Sequence, residues 1–184
     1  MKKIIITISI TMCLIYAGNF RNANFGDSKE KVKQQETAEF LSEQDGVLIF
    51  DGKILDIPCY IGYVFVNNKF MQGKYLIKTS IITTSKEFLI VYLALQQKLN
   101  EKYGEQDPVP TWYDDLYQSD GNFLTALKLK HYSVNTTWQQ DTYKITLGAE
   151  GTGDYKWQFV IEYQSKAYAD YIEKKQQKEN ADAF

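Results

Sequence analysis

Between Tyr155 and Gln164, large apolar side chains alternate with polar ones, which is the pattern that most constrains the fold of this chain. One set is Tyr155, Trp157, Phe159, Ile161 and Tyr163, and the residues between them are mostly polar. A β-strand sends alternate side chains to opposite faces, whereas a helix would scatter these aromatics around its circumference. The segment is therefore predicted to be a strand with one buried and one wet face, which is typical of antiparallel sheets.

The strongest helical pattern covers Lys86–Tyr103. Its large apolar residues recur at spacings of four, three and four and predict one core-facing stripe: Phe88, Tyr92, Leu95 and Leu99. Ser85 is the expected N-cap, and Gly104 follows the last helical residue, as is common at helix C-termini. We expect the aromatic face around Phe159 to pack against this helix.

Two hairpins are predicted from their turn dipeptides. Asp51-Gly52 suits a type I′ turn and would join Val47–Phe50 to Lys53–Ile57. A longer hairpin follows, made of a strand, a two-residue turn and a return strand: Tyr60–Val66, Asn67-Asn68 and Lys69–Ile77.

The remaining elements complete an α+β pattern. They are a polar helix from Asp27 or Ser28 to about Glu39, a short helix over Phe123–Lys130, strands over Ser133–Trp138 and Thr142–Leu147, a glycine-rich turn over Glu150–Asp154 and a final helix from about Ala167. We predict an antiparallel sheet of hairpins with helices packed on one face. The order also permits two similar α-β-β units.

The N-terminus predicts export. Lys2 and Lys3 precede the uncharged run Ile4–Ala17, which has the layout of a secretory signal peptide and is too short to span a bilayer. Met12 before Cys13 argues against a lipid-attachment signal. The predicted organisation is a signal peptide over 1–17, one α+β domain over 18–172 and a polar, disordered tail over 173–184. The expected location is periplasmic or extracellular.

Composition excludes several partners. The chain has 21 basic and 23 acidic residues among 184, a net charge of −2 without the basic excess of nucleic-acid-binding proteins. No apolar run approaches the roughly 20 residues of a membrane span, so none is expected after signal cleavage.

Residues suited to catalysis are few. If cleavage follows Ala17, Cys59 is the only cysteine left, and its place at the start of an apolar run predicts a buried thiol. His131 is the only histidine, so a zinc site lacks ligands, and no cofactor or metal is predicted. A Cys59–His131 nucleophile pair is the formal enzymatic alternative.

Aromatic residues are the one enriched class, at 15% of the chain. Trp112, Tyr113 and Tyr117 follow the proline-bearing connecting segment 107–110 in loop-like sequence. Exposed aromatics are common in binding interfaces. These three residues are therefore the candidate binding site, for a protein or a carbohydrate.

Two short motifs resemble known exported proteins. Gly26–Val32 is similar to the Gly-x-[Ser/Thr]-x-x-x-Val helix start of the domain shared by the outer-membrane β-barrel assembly lipoprotein and the β-lactamase-inhibitor proteins. Leu99–Gly104 and Trp138–Leu147 resemble uncharacterised bacterial exported proteins of that general build. The resemblance implies an envelope binding module and carries over no functional residues.

The leading hypothesis is a non-enzymatic binding or assembly module of the bacterial envelope with a protein partner. Two alternatives remain: a hydrolase-type enzyme that uses carboxylates or Cys59, and a binder of a small hydrophobic or carbohydrate ligand.

Overall fold

The computed structural model describes residues 18–182. The predicted signal peptide and Cys13 lie outside the described residues. The elements, in chain order, are α1 (Lys29–Gln35), β1 (Glu39–Gln44), β2 (Val47–Ile54), β3 (Ile57–Val66), β4 (Lys69–Ile77), α2 (Ser85–Tyr103), β5 (Val109–Trp112), α3 (Phe123–Lys128), β6 (Tyr132–Gln139), β7 (Tyr143–Gly153), β8 (Lys156–Ser165) and α4 (Lys166–Asp182). A 3-10 turn over Thr79–Ile81 separates β4 from α2.

The strands form one antiparallel sheet in the order β1-β2-β3-β4-β8-β7-β6-β5. Each half of the chain contributes four neighbouring strands, and β4 pairs with β8 where the halves meet. The predicted α+β class, with helices packed on an antiparallel sheet, is confirmed. We call the side covered by α2 the helical face and the other side the open face. None of the helices in residues 18–182 is long and apolar enough to cross a membrane.

The packing of β8 against α2 confirms the alternation seen in the sequence. The rings of Phe88 and Tyr92 lie 5.7 and 5.8 Å from the Phe159 ring, measured between centroids. Trp157, Phe159, Ile161 and Tyr163 are all buried. Tyr155 was predicted on the same face and is not there: it lies in the β7–β8 turn with φ 61° and is 63% exposed.

The α2 helix begins one residue earlier than predicted. Its N-cap is Thr84, whose hydroxyl accepts from the Glu87 N–H while the Glu87 carboxylate accepts from the Thr84 N–H. This reciprocal capping box leaves Ser85 as the first helical residue. Gly104 ends the helix with φ 97°, as expected.

The hairpin turn at Asp51-Gly52 was predicted wrongly. The β2 strand runs through both residues, and the turns lie at Asp45-Gly46 and Leu55-Asp56, where both residues of each pair have positive φ. A side chain at position 52 would place its Cβ 2.5 Å from the Ile61 side chain, so the glycine leaves space for a core residue. The second predicted turn, Asn67-Asn68, is confirmed.

Four other boundaries differ from the sequence predictions. The α1 helix ends at Gln35, and β1 follows where helix was expected. The β7 strand continues through the glycine-rich segment to Gly153, where the missing side chain of Gly151 leaves space for the carbonyl of Leu127. The edge strand β5 begins inside the expected connecting segment, at Val109. The expected disordered tail continues as helix α4 to Asp182, with residues 173–181 exposed.

An N-terminal segment, residues 18–38, covers the helical face over β2, β3 and β4. The Phe20 ring lies against Gly73, where an added Cβ would be 2.3 Å from the ring. The Arg21 guanidinium donates to both oxygens of the Glu36 carboxylate at 2.8 and 2.9 Å. Tyr63 also donates to this carboxylate, and the backbone N–H of Ala38 does so at 2.8 Å. The buried charges of this segment are therefore hydrogen-bonded on several sides.

Candidate binding groove

An open groove of about 400 Å³ lies at the edge of the helical face. Its walls come from α2, β5 and β6, with one residue of α3 at the end. The lining is almost entirely apolar: Phe88, Leu89, Tyr92, Leu93, Pro108, Pro110, Trp112, Phe123, Tyr132 and Val134. We call this feature the apolar groove.

The position of α2 explains why the apolar groove is open. This helix packs on β8 through Phe88 and Tyr92, and the Tyr92 hydroxyl lies 2.9 Å from that of Thr136 in β6. Pro110 and Trp112 of the outermost strand, β5, face the helical side beside the helix. Trp112 packs there with its ring 4.6 Å from Tyr132 and 6.0 Å from Phe123.

Apolar surface continues outside the apolar groove. Leu89, Ile90 and Leu93 on α2 are 38%, 57% and 54% exposed. Single exposed leucines are common on protein surfaces, but a contiguous patch indicates an interaction site. These residues and the apolar groove form one continuous apolar surface.

The outer edge of β5 offers few backbone donors. Tyr113 donates its N–H to the carbonyl of His131 at 2.9 Å, directly after β5. In an antiparallel ladder alternate residues bond to the neighbouring strand, so the backbone of Trp112 and Pro110 faces outward. Pro110 has no N–H, and edge prolines prevent the pairing of a further strand. A partner at this edge is therefore bound through side chains.

A polar cleft of about 460 Å³ continues from the apolar groove along α2, and Leu93 lines both. Three acidic side chains line it: Glu101, Glu105 and Asp107. Glu101 is paired with Lys98, whereas the structure shows no basic side chain within 4 Å of Glu105 or Asp107 in residues 18–182. We call this feature the acidic cleft. Its net charge is negative.

The three aromatic residues predicted as a binding site do not form one surface. Trp112 lines the apolar groove. Tyr113 points to the open face, where its hydroxyl lies 3.1 Å from that of Ser133. Tyr117 is half-buried in the following loop, with its ring 5.6 Å from His131. The structure thus places Trp112 in the groove and separates the other two from it.

His131 has a local role in this loop. Its Nδ1 contacts the Asp114 carboxylate, and this hydrogen bond lowers the pKa of Asp114. The histidine and Tyr117 together hold the loop against the start of β6. No group of three His, Cys, Asp or Glu side chains that could hold a metal ion occurs in the described part of the chain.

The Cys59 thiol is buried, as predicted. Burial raises its pKa to about 11, so the thiol is protonated at neutral pH. Cys59 lies on β3, and four strand spacings of about 4.8 Å separate β3 from β6, which begins after His131. The Cys59–His131 nucleophile pair is therefore wrong: about 19 Å lies between the two strands.

The most informative groove residues were missed by the sequence reasoning. Leu89, Ile90 and Leu93 lie outside the four-residue stripe of α2, so apolar residues on the solvent side of a predicted helix were the available signal.

Comparison with protein-family models, with curated proteins and with solved structures finds no match to this chain.

Proposed function

We propose that this protein is a non-enzymatic binding module that holds a partner protein in the apolar groove. The observation that carries the proposal is the continuous apolar surface from Trp112 across the apolar groove to Leu93 and Ile90. Burying such surface stabilises a complex by about 25 cal/mol per Å² before the costs of association.

The extent of the apolar surface favours a protein over a small ligand. A small molecule in the apolar groove would leave Ile90 uncovered, since this residue lies outside the lining. Protein interfaces commonly combine an apolar centre with a polar rim. Here the acidic cleft supplies such a rim at one end.

The chemistry of the two features specifies the partner segment. The outward prolines of β5 disfavour an added strand, which leaves an amphipathic helix or an apolar loop as the bound form. Glu105 and Asp107 attract basic side chains. The partner is thus an amphipathic helical segment with apolar residues for the apolar groove and Lys or Arg at the end that meets the acidic cleft.

A photocrosslinking experiment in the cells that produce the protein tests this function. Benzoylphenylalanine replaces Leu93 in the groove or, as a matched control, Leu41 on the exposed strand β1. We expect ultraviolet light to yield a protein adduct from position 93 and none of that mass from position 41. Mass spectrometry should find the adduct on an apolar peptide with neighbouring basic residues.

Two results would contradict the proposal. One is the absence of any protein adduct from position 93, and the other is the same adduct from both positions. In the first case, adducts to lipid or to a small molecule would point to the second candidate function.

That second candidate is a binder of a small apolar ligand. The volume of about 400 Å³ and the apolar lining favour it, because ligand sites commonly measure about 300–1,000 Å³. Native mass spectrometry of the purified protein distinguishes the two: a ligand mass that disappears in Leu93→Asp and stays in Leu41→Asp would support the small-ligand function.

The proposed setting is the bacterial envelope, after export. Support comes from the sequence alone: Lys2 and Lys3 followed by the uncharged run Ile4–Ala17. The intact mass of protein recovered from the envelope tests it. A mass that still includes residues 1–17 would contradict cleavage.

A further inference from the structure

A second recess lies at the centre of the sheet, away from the apolar groove. The pairing of β4 with β8 ends at Leu76 and Val160, although β8 begins four residues earlier, at Lys156. The chain after β4 leaves the sheet through the 3-10 turn Thr79–Ile81. The gap has a volume of about 600 Å³, and we call it the notch.

One side of the notch is the first part of β8, whose backbone is unpaired on the edge toward β4. Lys166 donates its N–H to the carbonyl of Thr142, which fixes the alternation of the β7–β8 ladder. The backbone N–H and C=O groups of even-numbered β8 residues then bond to β7, and those of odd-numbered residues point toward β4. Trp157 is odd-numbered, and no residue of β4 is paired with it, so its N–H and C=O point into the notch.

The rim of the notch is basic. Lys156 begins β8, Lys78 directly follows β4, and Lys128 comes from α3 on the helical face. Lys78 is bonded to the Asp51 carboxylate at 2.7 and 2.9 Å. Across residues 18–182, Lys128 and Lys156 have no carboxylate within 4 Å. At least two positive charges are therefore left without a counter-charge.

Aromatic and hydroxyl side chains complete the recess. Tyr60 lies on its floor with the Lys78 ammonium 4.6 Å from the ring centroid, and Tyr155 is exposed at the β7–β8 turn. Thr79 and Ser80 line the wall formed by the 3-10 turn. These groups can contact the side chains of a bound segment on both sides of its backbone.

We propose that the notch binds an extended acidic peptide segment of another protein as an added piece of strand. The segment pairs with the free backbone of β8 and sends alternate carboxylates toward the lysines on the two faces of the sheet. Strand addition supplies main-chain hydrogen bonds, and the lysines select for negative charge. This site differs from the apolar groove in position, charge and mode of binding.

Peptide titration followed by fluorescence anisotropy tests the proposal. The probe is a labelled hexapeptide with four consecutive glutamates between two valines, whose carboxylates reach both faces of a strand. The comparison probes replace glutamate by lysine or methylate alternate backbone nitrogens. We expect the acidic probe to bind at least tenfold more tightly than either comparison probe. Its affinity should fall as salt rises, because the lysines are near the surface.

Substitution of the unpaired lysines supplies the matched test. Lys128→Gln with Lys156→Gln should weaken binding of the acidic probe at least tenfold. Lys144→Gln with Lys166→Gln, at the opposite end of β7 and β8, should leave it unchanged. Both pairs are surface substitutions, and circular dichroism checks that each variant is folded.

Hydrogen exchange separates strand pairing from simple charge attraction. Binding of the acidic probe should slow exchange of the Trp157 amide proton. Failure of the acidic probe to bind at 1 mM, equal binding of the methylated probe, or an unchanged Trp157 exchange rate would each overturn the proposal. Binding of phosphatidylglycerol vesicles with the same lysine dependence, in place of the peptide, would overturn it in favour of a membrane surface.

Discussion

The two ends of the helical face differ in whether other elements cover their side chains. Over β2, β3 and β4, the N-terminal segment covers the sheet and buries even a charged pair, with the Arg21 and Glu36 side chains 9% and 1% exposed. At β5, no element within residues 18–182 covers the strand, and Leu93 and Ile90 of α2 remain more than half exposed.

The contrast indicates which end is structural and which end binds. At the covered end, the buried Arg21 and Glu36 side chains are hydrogen-bonded to each other, as buried charges require. Beside β5, Leu93 and Ile90 stay exposed in the described residues 18–182, despite the free energy that burial would provide. The difference supports the apolar groove as the interaction surface.

The largest expected effect is at the covered end. Phe20→Ala removes a buried ring that contacts Tyr63, Tyr75 and Tyr163 at 4.9–5.2 Å between centroids and should lower the free energy of unfolding by about 3–5 kcal/mol. Leu93→Ala, in the groove, should change it by less than about 0.5 kcal/mol. Urea melts measure both, and equal effects would remove the distinction between the two ends.

Breaking the buried ion pair should have the next largest effect. Glu36→Gln removes the carboxylate that accepts from the buried Arg21 guanidinium, which should cost about 3 kcal/mol of stability. Glu43→Gln is the control, since that carboxylate bonds only to two lysines that are partly exposed. Urea melts at pH 7 compare them, and a loss below about 1 kcal/mol for Glu36→Gln would contradict the structural role of this pair.

Acidification should weaken the covered end through the same carboxylate. Burial alone would raise the pKa of Glu36, but hydrogen bonds from Arg21, Tyr63 and the Ala38 N–H outweigh it and hold the pKa below 4.5. A lowered folded-state pKa means that this stabilisation is complete above pH 4.5 and is lost as pH falls through the folded-state value. Wild type should therefore lose more stability than Glu36→Gln on acidification below pH 4.5. Parallel pH profiles would contradict this.

A smaller effect is expected at Cys59. Cys59→Ser buries a hydroxyl on the core side of β3 and should cost about 1–3 kcal/mol of stability. Binding at the groove should not change, because β3 lies four strands from β6. A thiol reagent should label the folded wild-type protein slowly. Rapid labelling, or loss of binding in a folded serine variant, would contradict a purely structural cysteine.

The sequence predicts the parts of the fold in which one periodic pattern covers a whole element. The α2 stripe and the β8 alternation are such cases, because burial of one face requires the observed spacing. The sequence does not distinguish Asp45-Gly46 from Asp51-Gly52 as a hairpin turn, since both Asp-Gly dipeptides have the same turn preference. The space that Gly52 leaves for Ile61 depends on a partner strand and is not visible locally.

The site was predictable in part for a similar reason. Trp112 was singled out by its type and its neighbouring prolines, and it does line the apolar groove. The prolines also suggested a connecting segment, although they lie at a sheet edge where their missing N–H groups face outward. Leu93 contributes to a groove only because β5 lies beside α2. This arrangement depends on the tertiary fold and is not visible in the local sequence.

Titration of a basic amphipathic helix tests the central claim most directly. The probe is a labelled 18-residue peptide with leucines along one face and lysines at one end, and anisotropy measures its Kd for wild type, Leu93→Asp and Leu41→Asp. We expect Leu93→Asp to bind at least tenfold more weakly than wild type while its urea melt is unchanged, and Leu41→Asp to match wild type in both. Equal affinities for wild type and Leu93→Asp would contradict the assignment of the apolar groove as the binding surface.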